Sequence, residues 1–494
     1  MKHDYDMIVI GGGAAGLTAS GISASLGAKT ALIEAAKLGG DCTWYGCVPS
    51  KALIKAAKVV QNIRTGSKYG LKDTVPEFDF TEVIKRVHKT REEIYEEADA
   101  PHHFEKMGID VIHGLASFID KHTVKLTGGD RNGETINSRY IVIATGSSPV
   151  VPPIDGLQDV PFLTNESIFE IKKLPEHLIV IGAGPIGLEM SQSFRRLGAR
   201  VTVVDFMDSI LIRDNPELTA LLRDSLAGEG ITFRLNNGVR MVESKNGSIT
   251  VTIEEKNSKK ISTIDGDALL VSVGRKPNLN GLHLEAAGIE TKRSGIIVND
   301  RGRTSAKNIY ACGDVTGGFQ FTHMSEHAAK IAVSNALLKF PMKIDTKHVP
   351  WCTFTDPELA HVGATENELQ QRRVSFETYK FPYSKIDRAL TDREATGLIK
   401  VYAKKWNGKI LGVDILGVHA GDMLGEWVLA LKNKVTLRQM ADTIHPYPTY
   451  SLGNRRAADQ WYVRKQSVTF VKILQRIFGY RGPLPDLSDP ERVV

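Results

Sequence analysis

Cysteine is scarce in this chain, with four among 494 residues. Four cysteines cannot cross-link a chain of this length, so a disulfide-scaffold protein is excluded and a reducing compartment, the cytoplasm, is expected. Charge of one sign is also lacking, because 63 lysines and arginines oppose 57 aspartates and glutamates and leave a net charge of +6. This excess is too small to predict a nucleic-acid partner, and the sequence contains no basic-aromatic recognition motif.

Long hydrophobic runs are missing as well. The stretch from Met7 to Ala28 is uncharged, but it is rich in glycine, serine and threonine and follows a start with two aspartates. We therefore expect neither a signal peptide nor a transmembrane helix. With 42% hydrophobic and 24% charged residues, the composition predicts a folded soluble protein of two to four domains.

Glycine, by contrast, is abundant at 45 residues, and two stretches concentrate it in the same pattern. Gly11–Gly16 and Gly182–Gly187 each follow a short apolar strand and precede a helix of small residues. A second strand then ends in an acid, Glu34 or Asp205, which lies 18 residues after the last glycine in both cases. Two β-α-β units of matching geometry are therefore predicted.

Such a unit is typical of dinucleotide binding. The glycines allow a tight turn, close approach to a pyrophosphate and close helix–strand packing, and the helix N-terminus attracts the phosphates. The alternative is a glycine-rich turn that only packs a helix on a sheet. An acid such as Asp205 repels a 2′-phosphate, so NADH is favoured over NADPH, unless Arg200 or Arg213 folds back.

Further landmarks suggest how the chain is divided. Tyr140–Gly146 and Val271–Asn278 each read as a buried strand that ends in a crossover between domains. Ile309–Asp314 is an apolar strand that ends in a carboxylate. From about Val349 onward, alternating strands and two helices without glycine-rich turns predict a separate α+β domain.

Two of the four cysteines, Cys42 and Cys47, lie five positions apart. They can close a small disulfide if the chain bends at Gly46, and Pro49 and Lys51 suggest a helix that begins nearby. The field of a helix N-terminus would lower a thiol pKa from about 8.5 toward neutrality. Two reduced structural cysteines are the alternative, whereas a metal site lacks a cluster that would complete four ligands.

The ordered set of motifs resembles the flavin-dependent pyridine nucleotide–disulfide oxidoreductases, which include glutathione reductase, dihydrolipoamide dehydrogenase and mercuric reductase. From about residue 5 to 460 the order is glycine turn, CxxxxC, ATG, glycine turn, VGRxPN, ACGD and TDPE. The resemblance implies an α/β fold with two Rossmann-like dinucleotide-binding domains and a C-terminal α+β dimerisation domain. It also implies FAD and NAD(H) as cofactors and a homodimer.

Site roles follow from the same resemblance. Electrons would pass from nicotinamide to flavin to a Cys42–Cys47 redox disulfide, with Cys47 facing the flavin, Cys42 attacking the substrate and Lys51 paired with Glu189. Cys312 and Cys352 would be packed thiols. The cofactor-binding residues implied are Gly11, Gly13, Gly16, Glu34 and Asp314 for FAD, Gly182, Gly184, Gly187 and Asp205 for NAD(H), and Gly146 and Gly274 in the two crossovers.

The chain departs from the family near its C-terminus. Disulfide-reducing members carry a His-Pro-Thr-x-x-Glu element whose histidine protonates the leaving thiolate. Here Tyr447 stands at the histidine position and Leu452 at the glutamate position. A tyrosine at the histidine position resembles mercuric reductase. His445 is a candidate substitute, with Tyr450 rather than a carboxylate five positions on; the alternative is a histidine without a catalytic role.

This departure leaves the electron acceptor open among a disulfide, a metal ion, a quinone and an oxidant. Loss of general acid help costs about 10²–10⁴ in rate, so acceptors that need no protonated thiol are favoured. No cysteine follows Cys352, so the C-terminal vicinal pair of mercuric reductases is absent. Dihydrolipoamide dehydrogenase-like activity and a non-catalytic redox-sensing flavoprotein, bound to a membrane or a partner, are the alternatives.

The last 34 residues, 461–494, form a basic tail whose apolar residues recur at helical spacing. Such a segment could lie on an anionic membrane or bind a partner, or it could pack on its own dimer with its basic residues in water. The domains expected are 1–149 with 279–346 for FAD, 150–278 for NAD(P), 347–460 for dimerisation, and this tail.

Overall fold

The computed structural model describes residues 3–129 and 131–487, and the end of the expected tail, 488–494, lies outside them. The strands, numbered in chain order, are β1 Tyr5–Ile10, β2 Thr30–Glu34, β3 Asp110–His113, β4 Leu115–Phe118, β5 Thr123–Thr127, β6 Thr135–Ile143, β7 Ser147–Pro149, β8 His177–Ile181, β9 Arg200–Val204, β10 Ile231–Arg234, β11 Asn237–Lys245, β12 Ser248–Glu255, β13 Ile261–Gly266, β14 Ala268–Val271, β15 Arg275–Pro277, β16 Thr291–Lys292, β17 Gly295–Ile296, β18 Ile309–Ala311, β19 Pro350–Thr353, β20 Glu358–Gly363, β21 Glu377–Pro382, β22 Leu398–Ala403 and β23 Ile410–Gly417. The α-helices are α1 Ala14–Ser25, α2 Gly40–Trp44, α3 Cys47–Arg64, α4 Phe80–Ile94, α5 Pro101–Lys106, α6 Pro185–Leu197, α7 Pro216–Gly228, α8 Thr322–Val333, α9 Glu366–Gln371, α10 Asp387–Thr391, α11 Ala420–Lys432, α12 Leu437–Asp442, α13 Leu452–Lys465 and α14 Val468–Phe478.

The described chain forms two compact units. The first contains residues 3–61, 76–206 and 237–345, and the second contains 62–75, 207–236 and 346–487. The four-part domain division expected from the sequence stays a prediction, because these two units do not separate the FAD and NAD segments.

A parallel sheet with strand order β3-β2-β1-β6 is the centre of the first unit, and β18 pairs with β6. Strand β1 is apolar along nearly its whole length because both of its faces are covered, and its register pairs Met7 with Thr30 on one side and Ile8 with Ile141 on the other. Helix α1 connects β1 to β2 and packs against α8. This is the first predicted β-α-β unit.

The second β-α-β unit is β8-α6-β9, with β14 parallel to β8 on its other side. All five residues of β8 are buried, which explains its uninterrupted apolar sequence after His177. An antiparallel meander, β11-β12-β13, follows in the chain. The predicted α/β fold with two β-α-β units is therefore confirmed.

The second unit is built on an antiparallel sheet of order β19-β20-β23-β22-β21. Its core centres on Trp427 of α11 and on Tyr379, Phe381 and Tyr383 around β21, which are all fully buried. The expectation of only two helices here is wrong, since α9 to α13 all lie between residues 366 and 465. Three of them have only five or six residues, too short to show a helical period in the sequence.

Helix α13 also changes the start expected for the tail. It continues from Leu452 to Lys465 through the expected boundary at 461, because Trp461 and Val463 are buried and hold its last turn in place. Helix α14 then forms a separate element. Among residues 3–129 and 131–487, no helix is long and apolar enough to span a bilayer.

Candidate active site

The first glycine turn has the geometry that a dinucleotide site requires. Gly11 has φ +104°, and a Cβ there would lie 2.4 Å from the Ala144 carbonyl oxygen. A Cβ on Gly16 would lie 1.7 Å from the Gly11 carbonyl oxygen, so only glycine lets α1 approach β1. Glu34 Oε2 accepts a 2.6 Å hydrogen bond from the Gly12 N–H, which fixes the carboxylate beside the turn.

The second turn repeats this arrangement. A Cβ on Gly182 would lie 2.5 Å from the Ser272 carbonyl oxygen, and one on Gly187 would lie 2.0 Å from the Gly182 carbonyl oxygen. Asp205 Oδ2 accepts a 2.6 Å hydrogen bond from the Ala183 N–H. Gly184 has open space at its Cβ position, so the backbone there is accessible to a ligand.

Both turns lead into helix N-termini that fit a pyrophosphate. Gly13 and Gly184 are the N-cap residues of α1 and α6, and neither helix has a side-chain cap hydrogen bond. Their first N–H groups therefore have no capping side chain and suit an anion. Close helix packing alone explains Gly16 and Gly187, but it does not explain the open Gly184 or the two fixed carboxylates.

The cysteine pair lies where one short helix ends and a long one begins. Cys42 is in α2, and Cys47 is the first residue of the 18-residue helix α3. The two reduced thiols are hydrogen-bonded to each other, which raises the pKa of Cys42 and lowers that of Cys47 to about 6. A 3.6 Å contact with Thr322 Oγ1 and the charge of Lys51 also lower the pKa of Cys47. The pair is thus polarised, with the thiolate on Cys47.

Lys51 and Glu189 form an ion pair. Their Nζ and Oε2 atoms are 2.8 Å apart, and the Glu189 side chain is 7% exposed. The structure thus brings together the second turn of α3 and the second turn of α6, as the resemblance implies. Lys51 Nζ also donates to Ser50 Oγ at 3.2 Å, so its position one turn from Cys47 is fixed on two sides.

Arg275, which sequence reasoning did not single out, links several parts of the site. Its guanidinium lies 3.0 Å from Oδ1 of Asp41, the residue that precedes Cys42 in the sequence. It also donates a hydrogen bond to the Ser147 carbonyl oxygen at 2.8 Å. Ser147 Oγ in turn donates to Asp314 Oδ2 at 2.6 Å. The VGRxPN motif contained this arginine, but only its glycine, Gly274, was predicted as a site residue. Gly146 and Gly274 both have positive φ, and they directly precede Ser147 and Arg275 in the sequence.

His445 has a carboxylate partner that its sequence neighbours do not supply. Its Nε2 lies 2.7 Å from Glu426 Oε1 of α11, and its Nδ1 lies 3.0 Å from the Thr443 carbonyl oxygen. Asn454 holds the other Glu426 oxygen at 2.8 Å. Both ring nitrogens of His445 therefore face acceptors within the chain, and its side chain is only 5% exposed.

The remaining predicted residues differ in their surroundings. Tyr447 is 68% exposed, and its hydrogen bond to Asp387 raises its pKa. Cys312 is fully buried, and burial raises its pKa to about 12, as expected of a packed thiol. Cys352 packs at the edge of the second unit's core. Across 3–129 and 131–487, no three His, Cys, Asp or Glu side chains form a group that could hold a metal ion.

Comparison with known proteins accounts for nearly the whole chain. Residues 5–329 match the pyridine nucleotide-disulphide oxidoreductases, and residues 349–457 match the dimerisation domain of these proteins, which confirms the expected C-terminal domain. Mercuric reductase of Lysinibacillus sphaericus is 35% identical over 462 residues, covering 92% of this chain and 82% of that protein. Dihydrolipoyl dehydrogenase of Bacillus subtilis is 32% identical over 460 residues, covering 91% and 96%.

A solved structure gives the same picture at the level of the fold. The Cu(II) complex of the HOCl-induced flavoprotein disulfide reductase RclA from Escherichia coli is similar with a TM-score of 0.83. It is 28% identical and covers 94% of this chain and 100% of that chain.

Proposed function

The chain belongs to the pyridine nucleotide-disulphide oxidoreductases, and on that premise we propose that it passes electrons from NADH through Cys42 and Cys47 to a thiophilic or redox-active metal ion. Enzymes of this family are flavoproteins that use FAD and a pyridine nucleotide. The observation that carries the proposal is the polarised cysteine pair beside the Lys51–Glu189 ion pair. The dimerisation domain supports a homodimer.

FAD fits the first glycine turn, and NADH fits the second. Gly11, Gly13, Gly16 and Glu34 would hold the FAD pyrophosphate and ribose, with Asp314 and Gly146 further along the cofactor. Bound there, FAD would supply the two-electron chemistry that links the nicotinamide to the Cys42–Cys47 pair. Gly182, Gly184, Gly187 and Asp205 would hold NADH, with Gly274 nearby, and the fixed Asp205 carboxylate disfavours the extra phosphate of NADPH.

The surroundings of His445 favour an acceptor that needs no proton from the enzyme. A neutral imidazole has one N–H, yet both of its nitrogens here face acceptor atoms. Neither nitrogen is presented to an outside thiolate. Tyr447, at the family's histidine position, is bonded to Asp387 and has a raised pKa, so it is a weak proton donor near neutral pH. Reduction of a disulfide, which releases a thiolate, would lack general acid help.

A metal ion needs only thiolates and electrons. Cys42 and Cys47 in the dithiol state offer two sulfur ligands, and soft thiolates select soft ions. One NADH supplies two electrons, enough to reduce one Hg(II) to Hg(0) or two Cu(II) to Cu(I), and the proton released goes to solvent. The names of the relatives, mercuric reductase and a Cu(II) complex of RclA, support this class of acceptor.

The test is NADH oxidation by the purified flavoprotein with Hg(II), Cu(II), hypochlorous acid, a quinone, lipoamide and glutathione disulfide as acceptors. We expect a metal ion to give the highest kcat/KM, and Cys42→Ser to abolish that activity while it leaves the bound flavin in place. A higher kcat/KM with lipoamide or glutathione disulfide would refute the assignment of the acceptor.

Dihydrolipoamide dehydrogenase-like activity is the second candidate, because the His445–Glu426 pair is a histidine–carboxylate dyad at 2.7 Å. This activity requires the imidazole ring of His445 to move away from the Thr443 carbonyl oxygen, so that its Nδ1 can face the substrate. The same acceptor panel distinguishes the two, since this activity would be lost with His445→Asn and metal-ion reduction would not.

A further inference from the structure

Helix α14, residues Val468–Phe478, has an apolar side that the described chain does not bury. At 100° per residue, its large apolar side chains group on one side of the helix and its basic residues on the other. None of its residues is buried, and the exposed fractions of Phe470, Ile477 and Phe478 are 52%, 65% and 60%. The helix is held in shape by its own N-cap, since Ser467 Oγ accepts from the Phe470 N–H.

The charged residues of this helix and of the sequence on either side of it are all basic. Between Asp459 and Asp486 the sequence contains no acid. The same stretch contains five basic residues, namely Arg464, Lys465, Lys472, Arg476 and Arg481. An acid-free run of this kind, beside an exposed apolar side, complements a surface that is both anionic and apolar.

A second segment, which contacts the end of α13, has the same character. The turn between β22 and β23, residues 404–409, reads KKWNGK and presents Trp406 with 89% of its surface exposed. Lys465 joins this turn to the end of α13, because its Nζ donates to the Trp406 carbonyl oxygen at 3.1 Å. Glu377 neutralises part of the charge, as it pairs with Lys405 at 3.2 Å. Lys404, Lys409 and the five basic residues between Asp459 and Asp486 remain in excess.

We propose that α14 and the 404–409 turn together dock the enzyme on the surface of an anionic lipid bilayer. Large apolar side chains would enter the boundary between headgroups and acyl chains, and the basic residues would face the lipid phosphates. An exposed tryptophan suits this boundary because its ring is apolar and its N–H is polar. The helix has 11 residues, which is far too few to cross the bilayer, so it lies on the surface.

A second copy of the same helix is a poorer occupant of this face. Two copies related by a two-fold axis would bring like charges from two acid-free stretches together. An anionic bilayer supplies both the apolar and the negatively charged surface that the segment lacks.

Flotation of the full-length flavoprotein with vesicles tests the proposal. With phosphatidylcholine vesicles that contain about a third phosphatidylglycerol, we expect binding that high salt weakens. Ile477→Ser should weaken binding about tenfold. Lys472→Glu with Arg476→Glu should weaken it at least about 25-fold, since each basic residue near such a surface contributes about a fivefold effect.

The matched control is Lys245→Glu with Lys260→Glu, which changes the net charge equally on the β11–β13 meander of the first unit and should leave vesicle binding unchanged. Flavin absorbance and NADH oxidation check that every variant is folded. If the two double variants bind alike, or if pure phosphatidylcholine binds as well as the anionic vesicles, the proposal is wrong. It is also wrong if, without lipid, the protein forms assemblies larger than a dimer that Ile477→Ser dissolves, because a second copy then covers the face.

Tryptophan fluorescence locates the contact. Anionic vesicles should shift the emission of the wild-type protein to the blue, and Trp406→Phe should remove most of that shift although four other tryptophans remain. An unchanged shift in Trp406→Phe would exclude the turn from the docking surface. The vesicle experiments do not depend on the electron acceptor, so their failure leaves the proposed metal-ion reduction untouched.

Discussion

Two side-chain pairs with nearly equal separations have different surroundings in this protein. Lys51 and Glu189 lie 2.8 Å apart, and Lys51 also lowers the pKa of Cys47 one helical turn away. His445 and Glu426 lie 2.7 Å apart, but the second ring nitrogen of His445 meets only a backbone carbonyl oxygen. Such a pair affects the reaction where one of its members lies near a reactive atom. Elsewhere it only stabilises the fold. The predictions below test this contrast.

The largest effect is expected at the sulfur site itself. Cys47→Ser removes the thiolate that the polarised pair stabilises, so NADH-dependent reduction of every acceptor should fall by more than about a thousandfold. The reduced protein should also lose the thiolate–flavin charge-transfer absorbance, while its flavin content stays at the wild-type level. Turnover that survives without Cys47 would show that the acceptor takes electrons by another route. Cys312→Ser is the matched control and should keep full activity.

A smaller effect is expected from Arg275→Gln. The guanidinium holds Asp41 beside Cys42 at 3.0 Å, and its Nε donates to Ser147 Oγ at 2.8 Å. Without this guanidinium, the segment that carries Cys42 is held less firmly, so the Cys42 sulfur is less well positioned for the acceptor. The kcat/KM for the acceptor should therefore fall about tenfold. Steady-state kinetics measures the loss. Arg240→Gln, which breaks an exposed ion pair with Glu254, is the control and should have no effect.

The next prediction concerns the pH dependence of the Cys47 thiolate. The hydrogen bond from Cys42 lowers the pKa of Cys47 to about 6, and the positive charge of Lys51 contributes to this while Glu189 opposes it. Lys51→Met should therefore move the midpoint of the charge-transfer absorbance to higher pH by about one unit. Glu189→Gln should move it to lower pH. Shifts of the same sign in both variants would contradict the electrostatic explanation.

The glycine turns and the cysteine pair could be predicted from sequence because their causes are local. A Cβ on Gly16 or Gly187 would overlap a carbonyl oxygen within the same turn, so the residue type reports the geometry directly. The short helices of the second unit also left local signs. Thr365 with Glu368 and Thr436 with Gln439 form capping boxes, which mark the starts of α9 and α12.

Glu426 could not be predicted, because only the fold brings it to His445. It lies 19 residues earlier, on α11, whereas His445 lies in the loop that follows α12. Asn454 of α13 fixes the other Glu426 oxygen at 2.8 Å. No sequence spacing links residues whose contact depends on how α11, α13 and the loop between α12 and α13 pack. The roles of Tyr447 and His445 stay predictions for the same reason.

The smallest effect on activity is expected at His445, the candidate for the general acid of the family. His445→Asn should change metal-ion reduction by less than about threefold, whereas loss of a general acid costs about 10²–10⁴. The same variant leaves Glu426 with one partner fewer, so the free energy of unfolding should fall by about 1–3 kcal/mol in denaturant titrations. Tyr447→Phe, at an exposed site, should alter neither quantity. A hundredfold fall in kcat for His445→Asn with unchanged stability would mean that the ring leaves Thr443 during turnover, and the contrast between the two pairs would then no longer hold.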